Sequence, residues 1–383
     1  MYYWRLSGFY FFYFAALGAL VPYWGLYLKA LGFSAVDIGE LVAIIMATKV
    51  IAPNVWGWIA DHTGRKMTII RAASLSAAVA FAGVFAGHGY GWMALVMAVF
   101  SFFWNAALPQ FEATTLNHLG DEARRYSSIR LWGSIGFIVS VTALGMLFQT
   151  RGTDNLPTIL LLLFVSIWLF SLFVPDSSSV EEPSDQKPLR SVLKRPAVGA
   201  LFLVCFLMQA SHGPYYAFYS LYLTAHGYTE TSIGQLWALG VVAEIMVFLA
   251  MPRWLPRFSD RRLLLVAALL TAVRWALIGL YVDRAWILML AQTLHAASFG
   301  VYHAVAIHLV HRFFQGRHQG RGQALYSSVS FGAGGAAGSF AAGYLWEGVG
   351  AQWMYGMASG TALVATWIVW RHLAGSETSQ EVA

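Results

Sequence analysis

PDSSSVEEPSDQKPLRSVLKRP, residues 175–196, decides how the rest of the chain is read. It holds four acids, four bases and four prolines, the composition of a solvated linker with too little apolar surface to fold. On either side of it polarity nearly vanishes. A bilayer core of about 30 Å takes roughly 20 mostly apolar residues per helix. By that ruler six segments precede the linker, at about 6–28, 38–60, 67–87, 92–117, 127–149 and 156–174. Six more follow it, at about 198–223, 233–252, 263–282, 285–311, 323–346 and 353–371. The spacing predicts an all-α integral membrane protein of twelve transmembrane helices. Residues 1–174 would form one six-helix bundle, 175–197 a cytoplasmic linker, and 198–383 a second six-helix bundle.

Composition agrees with this reading and excludes others. Only 11% of the 383 residues are charged and 58% are apolar, whereas a soluble domain carries charge on about a quarter of its residues. A soluble enzyme, a nucleic-acid reader and a disordered scaffold are all poorly served by that balance. The N-terminal MYYWRLSGFYFF has no small-residue cleavage site and continues into an apolar run, as a retained span does. The single cysteine, Cys205, lies in an apolar run and offers neither a disulfide framework nor a metal site. The net charge of +6 is a matter of topology. With both termini in the cytoplasm, eighteen Lys and Arg fall in cytoplasmic segments, only Lys29, Arg151 and Arg284 in outer loops, and Lys49, Arg130 and Arg274 within spans. That asymmetry follows the positive-inside rule and places the protein, multi-pass, in the cell inner membrane.

The halves repeat each other. GFSAVDIGEL at 32–41 returns as GYTETSIGQL at 227–236, and YSSIRLWGSIG at 126–136 returns as YSSVSFGAGGA at 326–336. PYWGLYL at 22–28 is echoed by PYYAFYSLYL at 214–223. Three matches in the same order indicate a duplicated transporter architecture.

After the second span the chain reads GWIADHTGRK, residues 57–66. This resembles the signature loop of the major facilitator superfamily, with Gly57, Ala60, Asp61, Gly64, Arg65 and Lys66 matching and His62 in a basic slot. The resemblance spans essentially the whole chain. It implies a major facilitator fold and a loop that latches neighbouring helices and gates the cytoplasmic side, with Gly57, Asp61, Gly64, Arg65 and Lys66 as its working residues. The second-half counterpart, RWLPRFSDRR at 253–262, keeps arginines but not glycines, so only the first latch is expected intact. RLWGSIGF at 130–137, with Glu112 eighteen residues earlier, resembles the substrate-binding acid and arginine of lactose-permease-type proton symporters. TAVRW at 271–275 and QTLHAAS at 292–298 resemble that permease's ninth- and tenth-helix segments, except that Gln292 stands for its lysine and Ser298 for its protonating glutamate. The closer likeness is to the phenylpropionate permease branch, through GVVAE (240–244), VRW (273–275), Lys49, the Arg-Leu-Trp-Gly-Ser opening of span five and His-x-x-Tyr-Tyr at 212–216. That resemblance implies proton-coupled import of an aromatic carboxylate.

Charges within spans carry the same message without the family name. Each costs at least about 2.5–3.5 kcal/mol at a helix centre, so such groups face cavities or partners. The interior set is Lys49, Glu112, Arg130, Glu244 and Arg274, with His212, His295 and His303. Three bases against two acids leave one positive charge over, which a transported carboxylate would balance; the bland alternative is structural ion pairing. Helical spacing adds Asn105 to the stripe of Glu112, and aligns Gln209, His212, Tyr216 and Tyr219 down span seven. Gly213 and Pro214 are expected to interrupt that span, as breaks do near transporter binding sites. Lys49, Asn105, Glu112, Arg130, His212 and Tyr216 are thus candidates for substrate, and Glu244, Arg274 and His295 for proton coupling. His303 is a weaker candidate, and His308, His311 and His318 read as solvated. Tyr219 reads equally well as an interfacial belt residue.

Enzyme motifs fail. No nucleophile elbow or phosphate-cradling loop occurs, no metal-ligand spacing is found, and Gly334 and Gly338 read as small-residue packing rather than a dinucleotide loop. The expectation is a non-enzymatic secondary transporter, a proton symporter for a small organic anion. It needs no cofactor beyond the proton gradient, works as a monomer and binds no nucleic acid. A sugar or nucleoside symporter, or a non-transporting sensor of transporter descent, are the alternatives.

Overall fold

The computed structural model describes residues 2–176, 192–315 and 318–373. Most of the expected linker, 177–191, lies outside the described residues. Among those described, twelve helices account for the chain: α1 Tyr3–Ala30, α2 Ala35–Thr63, α3 Lys66–Phe81, α4 Tyr90–Leu119, α5 Tyr126–Arg151, α6 Leu156–Leu172, α7 Pro196–Ala225, α8 Glu230–Trp254 and α9 Asp260–Leu280. The tenth, α10, is a composite of Ala285–Thr293, a π-helical stretch Ala296–Val301 and Tyr302–Phe313. The eleventh, α11, likewise joins Gln319–Ser327, a π stretch Ser328–Gly334 and Gly335–Val349, and α12 is Ala351–His372. A helix satisfies its backbone internally, as a chain in hydrocarbon must. By length and composition alone, eight of the described helices suffice to cross a membrane. The others fall short for local reasons: α2 carries Thr48, Lys49 and Asn54, α6 has 17 residues, and α11 and α12 are rich in small and aromatic residues.

The repeated sequence motifs have a backbone cause. Gly32 (φ +91°) and Gly227 (φ +79°) both take the left-handed conformation that ends α1 and α7, a conformation open to glycine at little cost. The next amides close the turns, Phe33 onto the Leu28 carbonyl and Tyr228 onto Leu223, each at 3.1 Å. Ser34 and Thr229 then cap α2 and α8, accepting from Asp37 N at 3.1 Å and Ser232 N at 3.2 Å. Each such cap contributes about 1 kcal/mol.

By Cα proximity the chain forms two compact units, Met1–Glu181 with Ala217–Ala238, and Glu182–Tyr216 with Leu239–Ala383. In the first, α1 runs along α5, and α4 packs on α2 and α3. Its core is aromatic: Phe9 stacks on Phe111 (ring centroids 3.7 Å apart), Tyr13 on Trp104 (5.2 Å) and Phe100 on Trp104 (5.5 Å). The Tyr23 hydroxyl donates to the Val141 carbonyl at 2.6 Å. The end of α7 and the start of α8 belong to this unit, because Gly25, Gly145 and Gly234 let backbones meet at the Ala217, Glu230 and Val141 carbonyls.

The signature loop is two residues long. Gly64 (φ +65°) ends α2 and Arg65 precedes the first residue of α3, Lys66. Gly57 leaves room for the Gln110 side chain of α4. The side chain of Asp61 lies outside the described residues. Beside the loop, Arg71 grips the end of α6, donating to the Val174 carbonyl (2.7 Å) and the Ser171 carbonyl (3.4 Å). Asp176 accepts from Met67 N at 3.4 Å, placing a carboxylate at the positive start of α3. The second-half loop lacks the glycines yet holds its own ionic contact: Asp260 lies 3.4 Å from Arg312 and 3.8 Å from His308, both on α10.

In the second unit α9 runs along α12, over a buried core that includes Leu201, Cys205, Met208, Tyr302, Val305 and Ile368. Three expectations need correcting, the first being His318, which is buried rather than solvated. The helix α7 continues unbroken through Gly213 and Pro214. Gly213 serves packing instead: a Cβ there would strike the α11 backbone at Gly338 and Ser339, and one at Gly338 would strike the Ala210 carbonyl. The irregularity falls in α10 and α11, whose apolar sequences read as continuous spans but contain the π stretches. Tyr219 is fully buried against Trp237 rather than interfacial.

Candidate functional site

Each unit gathers one cluster of interior ionisable side chains. In the first, α4 supplies Glu112 and α5 supplies Arg130, whose Nε lies 3.7 Å from Glu112 Oε1. This is an ion pair longer than a hydrogen bond, not a closed bidentate fork. The two side chains are 29% and 31% exposed, open enough to meet a solute. The Arg130 guanidinium sits over the rings of Phe14 (4.0 Å) and Tyr10 (5.6 Å), a cation–π seat that fixes its plane. Tyr126 opens α5 one turn before Arg130 and shares its helix face.

Lys49 and Asn105 lie together on the α2–α4 contact, and they differ in what they have left to offer. Asn105 Nδ2 donates to Thr48 Oγ1 at 2.9 Å and the Ile45 carbonyl at 3.2 Å, so its amide is engaged in joining the helices. Lys49, the residue after Thr48, has Nζ 3.5 Å from Met46 Sδ. Among the described residues no carboxylate lies within 4.0 Å of it. A thioether is a weak acceptor, and this cation keeps its charge available.

The second cluster is denser. Arg274 of α9, 0% exposed, donates from Nη1 to Ser298 Oγ at 2.8 Å and to His295 Nδ1 at 3.0 Å, and from Nη2 to Gln292 Oε1 at 3.1 Å. Its guanidinium lies over Tyr215 (4.3 Å) and Trp275 (4.5 Å), and Tyr215 also donates to Gln292 at 3.2 Å. These bonds fix the tautomer of His295. A guanidinium only donates, so Nδ1 must present its lone pair and the ring proton sits on Nε2. That nitrogen lies 3.4 Å from Glu244 Oε2 of α8. The order Glu244–His295–Arg274 is therefore acceptor, neutral imidazole, fixed cation.

His212 and Tyr216 sit on α7 beside this cluster without joining its ion pairs. His212 is fully buried, its Nδ1 bonded to the Met208 carbonyl at 2.7 Å and its ring edge-on to Trp275. Tyr216 donates to Gln209 Oε1 at 3.5 Å. Three buried atoms here, Gln209 Nε2, His212 Nε2 and Gln292 Nε2, have no hydrogen-bond partner among the described residues, so they offer two donor groups and one lone pair to water or solute. Sequence reasoning passed over Tyr215, one position off the stripe it selected, and the rings of Tyr10, Phe14 and Trp275, which look like ordinary apolar filling until an arginine lies over them. Tyr126 had a signal, its recurrence as Tyr326 in the repeat.

Residues 3–357 match the MFS_1 like family. The chain belongs to this family of major facilitator transporters. It is 30% identical to the probable 3-phenylpropionic acid transporter of Escherichia coli (strain K12), over 91% of this chain and 93% of that one. It is 28% identical to the maltose permease of Geobacillus stearothermophilus, over 91% and 88%. The fold matches the crystal structure of nucleoside transporter NupG with a TM-score of 0.80 at 16% identity, over 97% of this chain and 99% of that one. The protein is thus a multi-pass membrane transporter of a small molecule, and its relatives are not enzymes.

Proposed function

We propose that this chain is a proton-coupled symporter that imports a small organic anion, an aromatic carboxylate similar to 3-phenylpropionate. In this reading it works as a monomer in the inner membrane, as two six-helix halves with both termini cytoplasmic. The observation that carries the reading is Lys49, an interior cation with no carboxylate within 4.0 Å among the described residues. An uncompensated intramembrane charge is costly, and a substrate carboxylate offsets that cost. The 3-phenylpropionic acid relative at 30% identity supports it. Arg130 seated over Phe14 and Tyr10 supplies an aromatic surface beside a charge, suited to a ring that ends in a carboxylate. Glu244, bonded to His295, carries the proton.

A second reading, a sugar or nucleoside symporter, is favoured by the open Glu112–Arg130 pair, because an acid and an arginine also grip hydroxyls. The maltose permease and NupG likenesses lean the same way. Uptake of labelled 3-phenylpropionate, maltose and uridine into proteoliposomes, with and without a pH gradient, decides between them. Gradient-driven uptake of the acid alone supports the first reading. Uptake of maltose or uridine that ignores Lys49→Gln overturns it.

A further inference from the structure

The helix α10 carries a second titratable group that the Glu244–His295–Arg274 cluster does not use. His303 lies eight residues beyond His295, about 12 Å further along the helix, on the side that the lysine and arginine count assigns to the cytoplasm. Its Nδ1 is 2.8 Å from the Tyr326 hydroxyl of α11. Between the two imidazoles stands one ring. Phe299 stacks on His295 (5.5 Å between centroids, 16° between planes) and on His303 (5.6 Å, 13°). Phe331 of α11 closes the same level, 6.0 Å from Phe299 and 5.8 Å from His303, and Phe248 of α8, one turn after Glu244, meets His303 at 6.5 Å.

Both phenylalanines at this level belong to π-helical turns, Phe299 to 296–301 and Phe331 to 328–334. Single π turns occur mostly at functional sites, and these two face each other. The repeat adds an independent observation. Tyr126 opens α5 one turn before Arg130 and on the same helix face; its counterpart Tyr326, in the first segment of α11, bonds to His303 on the helix before it. In both units the repeated tyrosine stands beside an interior ionisable side chain.

We propose that His303, held by Tyr326, is the station through which the Glu244 proton passes to the cytoplasm, with Phe299 and Phe331 as the gate between them. The proposal rests on the proton-coupled reading above. The groups that face His303 define its chemistry: Tyr326 and Phe331 from α11, Phe248 from α8 and Phe299 on α10 itself, with His295 and its partner Glu244 beyond the Phe299 ring. Tyr302 donates its proton to the Cys205 carbonyl at 3.3 Å. A neutral imidazole keeps one of its two ring nitrogens unprotonated, and that nitrogen takes the proton. When the phenylalanines part and water enters, the O–H bond of protonated Glu244 breaks and a second N–H bond forms on His303 by way of that water. Glu244 becomes carboxylate and His303 imidazolium, and the imidazolium then loses the same proton to cytoplasmic water. Imidazole suits such a shuttle because its ordinary pKa lies near 6.5.

The test uses the full-length protein in proteoliposomes and whichever of 3-phenylpropionate, maltose and uridine the wild type accumulates under a pH gradient. His303→Gln keeps a hydrogen-bonding side chain but cannot carry the proton. It should slow gradient-driven uptake at least about tenfold, below what a positioned proton acceptor contributes. Equilibrium exchange of labelled substrate should stay within about twofold of wild type, since exchange needs no net proton release. The dependence of uptake on internal pH should vanish, a signature that a structural role would not produce. Should His303→Gln fail to fold, Tyr326→Phe frees the imidazole from its holder and should shift the internal-pH profile. Wild-type coupled uptake with an unaltered profile in the variant overturns the His303 assignment alone. Loss of exchange along with uptake makes His303 structural and also overturns it. A wild type that accumulates none of the three probes overturns the proton-coupled reading, and this station falls with it.

Discussion

Glu244→Gln tests the proton site most sharply, and the structure sets the size of the effect. Two side chains of the second cluster offer a site for the proton, Glu244 and His295. The Nδ1 lone pair of His295 already receives Arg274 Nη1 at 3.0 Å, and a second ring proton would point at a guanidinium. Only Glu244 remains, so one proton should move per substrate. A gradient of one pH unit is worth about 1.4 kcal/mol per proton. For an anion carried with one proton no net charge crosses, and the wild type should concentrate substrate about tenfold inside per pH unit. Glutamine keeps an oxygen that can accept from His295 Nε2, now at 3.4 Å from the carboxylate, so folding should be little affected. It cannot release a proton, and accumulation should fall to an inside-to-outside ratio of one while exchange of labelled for unlabelled substrate continues. Both quantities are measured on one proteoliposome preparation. Accumulation that survives the substitution makes Glu244 a structural ion-pair member and His295 the better candidate. A wild-type ratio near a hundredfold per pH unit, about twice the driving energy, shows that a second group titrates and refutes the tautomer argument.

Other substitutions separate the remaining roles. Lys49→Gln and Arg130→Gln should each weaken binding of an anionic substrate by about 1.5–3 kcal/mol, the range for a charge-assisted hydrogen bond, as read by titration calorimetry in detergent; tight, unaltered binding of a neutral sugar would contradict the anion reading. Asp61→Asn in the signature loop should slow turnover while sparing affinity, because a group that shifts only state populations need not touch substrate; an unchanged rate with altered affinity speaks against the latch. Gly338→Val should disrupt the α7–α11 contact, where a Cβ would strike the Ala210 carbonyl, and lower the thermal midpoint by more than the few degrees that about 1 kcal/mol produces. An unshifted midpoint would mean that the two helices are not held at that distance.

Helix number and order were legible in the sequence because hydrocarbon leaves little choice of backbone structure and the linker broke the pattern once. The repeated loops were legible too, for a reason the backbone supplies: a left-handed glycine followed by a hydroxyl cap is the shortest way to end one helix and start the next, so both halves kept it. What escaped was local geometry within the spans. Gly213-Pro214 read as a break and is helical, because the glycine's missing side chain is used by α11. The π turns at 296–301 and 328–334 have no marker in apolar periodicity, since the inserted residue costs no hydrophobicity. Charges within spans pointed to both clusters, but not to their inner order. Nothing in QTLHAAS says that His295 faces Arg274 with one nitrogen and Glu244 with the other, and the aromatic rings beneath both arginines have no sequence pattern of their own.

In the proton-coupled reading proposed above, the departure at Ser298 gives the second cluster a means of coupling a proton to an anion. Arg274 reaches Ser298 Oγ at 2.8 Å, where a carboxylate on that residue would neutralise it directly. With serine there, the hydrogen bonds of Arg274 to Ser298, Gln292 and His295 all end on neutral acceptors, and the negative charge is Glu244, one imidazole away. Protonating Glu244 removes that negative charge from the neighbourhood of a guanidinium with no exposure. Losing a negative neighbour is unfavourable for a buried cation, and a bound carboxylate offsets that loss where a neutral solute does not. Proton binding and anion binding then favour the same state, and by linkage each tightens the other. Glu244→Gln should therefore raise the affinity for an anionic substrate at alkaline pH, where the wild type is deprotonated, and leave it unchanged at acid pH, where wild type and variant are alike. Equal affinities across the pH range would mean that the guanidinium does not sense the proton, and that coupling in this protein arises elsewhere.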